Sequence, residues 1–480
     1  MTTTARQGTD STGAEPAGTA QHVPTGRTDH RPDAGGRAGA DGVAGRLAGL
    51  VEPLFGGDLP LRLRAWDGSV YGPADAPTVV VRDAAALRRL VFHPGELGLA
   101  QAYVTGEIDV EGDLLDGFRR VWKRARALSA GTSEGVGTTS PGVTAGVSAG
   151  VSAAARRLPL LLDGVRAARD LGAVGLPPAP PSSQARLRGR LHTLTRDRDA
   201  ISHHYDLSNE FYSLILDPTM AYSCGYWTSD EPDYTVGDAQ RDKLDLVCRK
   251  LGIEPGGRHL DIGCGWGSLS LWAAEHYGAN VVGVTISAEQ KAFIDERIRE
   301  RGLQDRVEIR LQDYRDVPDG PFDTISSIEM GEHVGQANYP TYARGIHDLL
   351  RPGGRALVQQ MSRTTRPGGG PFIEAFIAPD MHMRPVGETV AMFERAGLEM
   401  RDVHGMREHY VRTVNAWYDT FEANWPRVLD LVGEEVGRVW RLYLVGGALA
   451  FEEGRMGVDQ MLMVRPTRDG RSGMPSVRAW

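Results

Sequence analysis

Large apolar side chains are nearly absent from residues 1–44, a run dominated by Thr, Gly, Ala, Asp and Pro. Such a segment cannot bury enough surface to offset the entropy of ordering it, so a disordered tail is expected. From about Gly45 the pattern changes to short alternating runs, Leu61-Arg-Leu-Arg-Ala-Trp66 and Thr78-Val-Val-Val-Arg82, punctuated by Gly and Pro. Alternation predicts strands, and a small α/β domain is expected over 45–128. A connection follows over 129–198: a Gly/Ser/Thr/Ala/Val linker at 129–153, then a second break at Pro177-Pro178-Ala-Pro180-Pro181. From 199 to 465 helical and strand patterns alternate, which predicts an α/β fold with a doubly wound parallel sheet, ending in a tail over 466–480. No internal repeat is evident.

One strand of that sheet carries the most chemical information. His259-Leu-Asp-Ile262 runs into Gly263-Cys-Gly265-Trp-Gly267 and then into the helical pattern Ser268–Tyr277. Gly263 and Gly265 leave no Cβ in the way of a ligand, Gly267 permits close helix packing, and the free N–H groups at the helix start face whatever binds. The spacing is G-x-G-x-G with Asp261 two residues ahead, so a nucleotide-like cofactor is expected. The next strand, Asn280-Val-Val-Gly-Val-Thr285, ends where dinucleotide folds usually place a ribose-binding acid. Here Thr285 stands instead, and the contact falls to Gln290, with Glu289 behind it. A third strand from Val307 closes on Asp313-Tyr314, a pair able to bond an adenine amino group and cover its ring.

Length and charge add limits. A chain of 480 residues holds roughly two to four domains. The net charge of −8 argues against nucleic acid as a partner. Three cysteines, Cys224, Cys248 and Cys264, fit no metal site or disulfide framework, and Met381-His382-Met383 fits packing better than metal binding. So few cysteines suggest a reducing compartment and a cytoplasmic protein is expected; no apolar run reaches the ~18 residues of a membrane span, and no secretory signal pattern is read at the N-terminus. Between the linker and the prolines lie Arg156, Arg157, Arg166 and Arg169 among leucines, and beyond them Arg186, Arg188 and Arg190. This basic, apolar stretch is either a helix covering the catalytic domain or a contact to an anionic bilayer.

The segment before the glycine turn makes the chain recognisable. His204-Tyr205-Asp206, Asp217-Pro218 and Met220-Ala-Tyr222-Ser223-Cys224-Gly-Tyr226-Trp227 resemble the signature of cyclopropane-fatty-acyl-phospholipid synthases and mycolic acid cyclopropane synthases. Glu329-Met-Gly-Glu332-His333-Val-Gly335, His409-Tyr410-Val-Arg412 with Trp417-Tyr418, and Leu97–Glu107 agree, so the resemblance spans roughly residues 50 to 465. It implies a Rossmann-like class I methyltransferase sheet and S-adenosylmethionine as cofactor, surrounded by Tyr222, Ser223, Gly263, Gly265, Thr285, Gln290, Asp313 and Tyr314. It also implies alkylation of the double bond of unsaturated phospholipid acyl chains through a carbocation, closed to a cyclopropane when a base removes a proton from the new methyl group. Aromatic faces would shelter the cation, and Tyr222, Tyr226, Trp227, Tyr339 and Tyr410 are the candidates. Peripheral association with the inner membrane face is expected from a bilayer-lipid substrate together with the basic, apolar stretch between residues 156 and 190, and a homodimer is a further possibility.

In the family the base is a bicarbonate ion held by cysteine, glutamate, histidine and tyrosine. Cys224, Glu332 and Tyr410 match, but Gln359 stands where the histidine falls, Glu329 replaces a common glycine, and Gly331 replaces a bulky apolar residue. Either bicarbonate still binds and Glu329 points away, or Glu329 takes over part of its role, positioned by the Gln359 amide with Gly331 leaving it room. The second case expects Glu329 and Glu332 to share a site across a helical turn, which like-charge proximity and burial would make more basic. A displaced base opens the route to a methylene- or methyl-branched chain. Less favoured are a small-molecule N- or O-methyltransferase and a non-enzymatic cofactor-binding regulator.

Overall fold

The fold is described from a computed structural model over residues 42–130, 169–173, 175–185, 207–363, 368–379, 381–478 and 480. The tail before residue 42, Arg156, Arg157, Arg166, Arg186, Arg188 and Arg190, and the motif residues His204, Tyr205 and Asp206 lie outside the described residues.

Near the N-terminus four short strands, β1 (Arg62–Arg64), β2 (Val70–Tyr71), β3 (Thr78–Val81) and β4 (Ile108–Glu111), pair in the order β2-β1-β3-β4. Helices Val43–Val51, Ala85–Phe92 and Glu96–Val104 bury Val43, Ala44, Leu47, Ala86 and Ala102 with Ala65, Val81 and Ile108 of the sheet region. The small layer is fused to the rest of the fold by its far side. Tyr103, Leu114 and Leu115 enter the same buried cluster as Tyr410, Trp417 and Trp440, and Arg438 donates to the Tyr103 carbonyl at 3.2 Å.

The main sheet has seven strands: β5 (Arg258–Ile262), β6 (Asn280–Thr285), β7 (Val307–Leu311), β8 (Phe322–Ile328), β9 (Leu350–Ser362), β10 (Glu399–Gly405) and β11 (Gly457–Val464). Their order is β10-β11-β9-β8-β5-β6-β7. Strands β9, β8, β5, β6 and β7 are parallel, and β11 inserts antiparallel between β9 and β10. Central β5 and β8 are buried along almost their whole length, as strands covered on both faces must be, whereas edge strand β7 alternates buried and exposed positions. From β5 the chain first builds outward through β6 and β7, then returns to the other side with β8. The topological switch therefore lies between β5 and β8, and a crevice opens at their carboxyl ends.

Local signals fix the elements around that crevice. Helix Val236–Leu251 starts in a reciprocal Thr235–Asp238 capping box and stops at Gly252 with φ 64°. Helix Ala288–Glu300 begins where the Ser287 hydroxyl accepts from the Gln290 N–H. The C-terminal helices Arg407–Ala423 and Trp425–Glu452, the second kinked at Gly433, lay Trp417, Trp440 and Leu444 into the core beneath the crevice. Each such side chain, fully buried, contributes about 1.5–3 kcal/mol.

Candidate active site

A cleft at the switch point is lined by Tyr222, Ser223, Gly263, Gly265, Thr285, Gln290, Asp313 and Tyr314, and Glu329 lies on the same wall. All eight residues expected around a cofactor thus share one surface, although they come from four separate stretches of chain. The turn after β5 is shaped for close approach. Gly265 has φ 53°, and a Cβ there would meet no protein atom within 4 Å, so that the backbone faces open cleft. At the outer wall the Thr285 hydroxyl donates to Gln290 Oε1 at 2.8 Å, whereas Glu289 is exposed and accepts from the Ser287 hydroxyl. Glu289, the second candidate for the ribose contact, is not on the cleft wall. Asp313 is clasped by Arg315, whose Nε and Nη2 donate to its two oxygens at 2.8 and 2.7 Å. The Arg315 backbone N–H also donates to Asp313 Oδ1, at 2.9 Å, so this carboxylate is held in place at the edge of the cleft. Asp261 is buried beneath the turn and accepts from Ser270 and Ser326, both at 2.7 Å.

Behind the glycine turn, the register of β8 and β9 sets Ile328 opposite Gln359. The next residue, Glu329, has φ 51°, a left-handed conformation that costs a non-glycine residue about 1–3 kcal/mol and is characteristic of functional sites. This bend aims its carboxylate back into the protein. Glu329 Oε1 accepts from the Cys224 backbone N–H and from Gln359 Nε2, both at 2.8 Å, and Oε2 accepts from the Tyr410 hydroxyl at 2.6 Å. Gln359 is itself held, its carbonyl accepting from Gln460 Nε2 at 2.9 Å. Four of the five residues expected to carry the chemistry, Cys224, Glu329, Gln359 and Tyr410, meet in one cluster.

The fifth, Glu332, stands apart. Because Glu329 is left-handed, only Gly331–His333 forms a short turn, and the helical spacing expected to bring the two carboxylates into one site is absent. Glu332 Oε1 instead accepts from the Met361 N–H, and Oε2 has no protein partner among the described residues. Nor does Gly331 make room for Glu329: a Cβ there would lie 2.1 Å from Gln360 Oε1. The glycine admits the Tyr339–Gln360 pair, in which the tyrosine hydroxyl donates at 2.6 Å.

Burial governs the protonation of this region. Desolvation raises the pKa of Glu329, opposed by its bonds to Tyr410, Cys224 and Gln359 and by the charge of Lys243. Glu332 is pushed up to about 8 by burial and then by the negative charge of Glu329. Burial and Glu329 also raise the Cys224 thiol and Tyr410 hydroxyl, so both stay neutral and act as dipoles or donors. His333, on the cleft wall, is lowered to about 4 by burial and is neutral near pH 7.

The aromatic surroundings differ from expectation. Tyr226 packs against His404 and His409 with centroids 5.6 and 4.9 Å away, Trp227 lies under Arg412, and Tyr339 is buried beneath Arg384. None lines the cleft. Tyr222 and Tyr410 do stand at the site, backed by rings that the motif at 220–227 does not contain. Tyr222 is 5.3 Å from Trp417, 6.2 Å from Trp440 and 5.7 Å from Tyr212, and its hydroxyl donates to Tyr443 at 3.0 Å. Tyr410 stacks on Phe451 at 4.3 Å. The only advance signal for Trp440 and Tyr443 is their three-residue spacing, which puts both on one helix face. Among the described residues no cluster of acidic, histidine or cysteine side chains could hold a metal.

The parallel sheet with its glycine turn at the switch point defines a class I methyltransferase fold. The family model for mycolic acid cyclopropane synthetase matches residues 192–461, and the chain belongs to that family. It is 35% identical to a probable fatty acid methyltransferase of Pseudomonas putida, over 90% of this chain and 98% of the relative. It is 40% identical to the cyclopropane-fatty-acyl-phospholipid synthase of Escherichia coli strain K12, over 56% of this chain and 68% of the relative. Among solved structures, a mycolic acid cyclopropane synthase complexed with SAH and CTAB superposes with a TM-score of 0.52 at 31% identity, covering 55% of this chain and 97% of the other. No helix among the described residues is long and apolar enough to cross a membrane.

Proposed function

We propose that the protein alkylates the double bond of unsaturated phospholipid acyl chains with a carbon from S-adenosylmethionine, and that Glu329 is the base that completes the reaction. The observation that carries this is the Glu329 carboxylate, fixed by three donors on the wall of the cofactor cleft. The cleft suits the cofactor: the open backbone at Gly265 admits a ligand, Gln290 has an amide NH2 for a ribose hydroxyl, and Asp313 and Tyr314 offer an acceptor and a ring face to an adenine. When bound, S-adenosylmethionine supplies an electrophilic methyl group that an isolated alkene can attack, leaving a cation on the acyl chain.

The protein must then keep that cation dry and remove one proton. Tyr222 and Tyr410, backed by Trp417 and Phe451, present ring faces to positive charge without a strongly nucleophilic atom. Among the described residues Glu329 Oε1 accepts two bonds and Oε2 one, so Oε2 is the oxygen better placed to take the proton. A bicarbonate base does not fit this cluster as it stands, because the Cys224 N–H, Gln359 amide and Tyr410 hydroxyl are all engaged by Glu329. Ring closure to a cyclopropane follows if the proton leaves the new methyl before the cation moves. A hydride shift first gives a methylene branch, and both outcomes begin with the same transfer of a methyl group to the acyl chain.

Purified protein incubated with oleoyl phosphatidylglycerol vesicles and S-adenosylmethionine is expected to give acyl chains one methylene heavier. Resistance of the product to catalytic hydrogenation under mild conditions marks the ring, and uptake of hydrogen marks the branch. Turnover on these vesicles should fall with added salt more than on detergent-dispersed lipid if the basic stretch between residues 156 and 190 docks on the bilayer. Methylation confined to small amines or hydroxyls, with acyl chains unchanged, would contradict the proposal.

A further inference from the structure

Strand β11 breaks its own pattern at one position. Val458 and Met461 to Val464 are buried and apolar, as a strand paired on both edges requires, but Gln460 among them is a fully buried amide. Its two ends are unequal. Nε2 donates to Gln359 Oε1 at 2.9 Å, whereas Oε1 is buried without a partner among the described residues. An orphaned carbonyl destabilises a core, and a methionine or leucine at this position would carry none. A side chain that breaks a local rule without a structural return is expected where function requires it.

The register shows what this amide reaches. Gln460 stands directly opposite Gln359 of β9, and Gln359 stands opposite Ile328 of β8, the residue before Glu329. Gln460 therefore donates to Gln359, and Gln359 Nε2 in turn donates to Glu329 Oε1 at 2.8 Å. A primary amide is nearly symmetric in shape, so half a turn of the Gln359 side chain exchanges its NH2 for its oxygen. The first orientation stabilises an ionised Glu329, and the second would accept from a protonated one and hold the proton there. Gln460 opposes that turn, because Gln359 must keep its oxygen toward β11 to take the donated bond. We propose that Gln460 is a positioning residue for the base: it fixes the polarity of the Gln359 amide and so keeps a donor, never an acceptor, on Glu329 through the proton transfer. The inference rests on the reading of Glu329 as the base. Donors aligned head to tail in a buried chain also reinforce one another.

Turnover on oleoyl phosphatidylglycerol vesicles, followed against pH, tests this in Gln460→Met, with Gln460→Leu as a second variant should the first not fold. The acid limb of the profile is expected to move up by about one pH unit, and turnover near neutral pH to fall about tenfold and recover in alkaline buffer, because a Glu329 that has lost its donor holds its proton more tightly. Thermal midpoint and S-adenosylmethionine affinity should stay close to those of the wild type. The other titrating groups around Glu329 are Cys224, Lys243, Glu332, Tyr410 and Tyr443, and His404 lies opposite Gln460 on β10 with its pKa lowered by burial. All are unchanged in these variants, and the limb that vanishes in Glu329→Gln is the one to follow. Gln359→Leu removes the donor itself, and in that background Gln460→Met should shift neither turnover nor the limb any further. A folded Gln460→Met with the wild-type acid limb, a loss equal at every pH, or losses that add in the double variant would each overturn the inference. A fully active Glu329→Gln would instead remove the base on which it rests.

Discussion

Glu329→Gln is expected to lower turnover on oleoyl lipid by on the order of a thousandfold, the middle of the range for removing a general base, while S-adenosylmethionine affinity changes little. The amide preserves shape and can still accept from Tyr410, but it cannot take a proton from the new methyl group. Glu329→Gly gives a sharper result. At φ 51° glycine is the more comfortable residue, so the backbone should hold, and removing the carboxylate frees the Cys224 N–H, the Gln359 amide and the Tyr410 hydroxyl for an added anion. Bicarbonate should then restore part of the activity of Glu329→Gly, although stripping or adding it leaves the wild type unaffected. A fully active Glu329→Gln, together with a wild type that stops when bicarbonate is removed, would assign the base to the ion instead.

Gly265→Val should weaken S-adenosylmethionine binding by on the order of a hundredfold or more, the cost of forcing two methyl groups into an occupied site. Its backbone at φ 53° faces open cleft, so the branched side chain would fill space meant for ligand. Left-handed geometry adds strain of its own, and Gly265→Ala separates the two effects. Its Cβ meets nothing in the free protein and should cost only about 1–2 kcal/mol of stability. Unchanged affinity in a folded Gly265→Val, measured by calorimetry, would remove the turn from the cofactor site.

The parts of this site that were legible in the sequence are those written locally. A strand, three glycines and a helix follow one another without interruption at 258–277, so the turn and its ligand-facing backbone could be read directly, and Thr285, Asp313 and Tyr314 sit at or just past the ends of the next strands, with Gln290 in the helix start between them. The meeting of Gln359 with Glu329 was anticipated from two departures from a family pattern, and the β8–β9 register supplies its cause. What failed depended on backbone conformation or distant packing. Helical spacing could not place Glu329 beside Glu332 because Glu329 is left-handed, which no neighbouring residue announces. Tyr226 and Trp227 were expected with Tyr222 around the cation, but after Cys224 the chain turns away, Gly225 N–H bonding Thr413 and Tyr226 N–H bonding the Ala239 carbonyl. The rings that replace them arrive from helices some two hundred residues later, and only the tertiary fold brings Trp417, Trp440 and Tyr443 to Tyr222.

Proton loss from the transferred carbon distinguishes this chemistry from ordinary methyl transfer, and isotopic labelling reads it directly. With oleoyl phosphatidylglycerol vesicles and S-adenosylmethionine carrying a trideuteromethyl group, the modified acyl chain should keep two deuteriums, the third passing through Glu329 to water, whether the product is a ring or a methylene branch. Retention of all three deuteriums, on the acyl chain or on any other acceptor, would contradict the account.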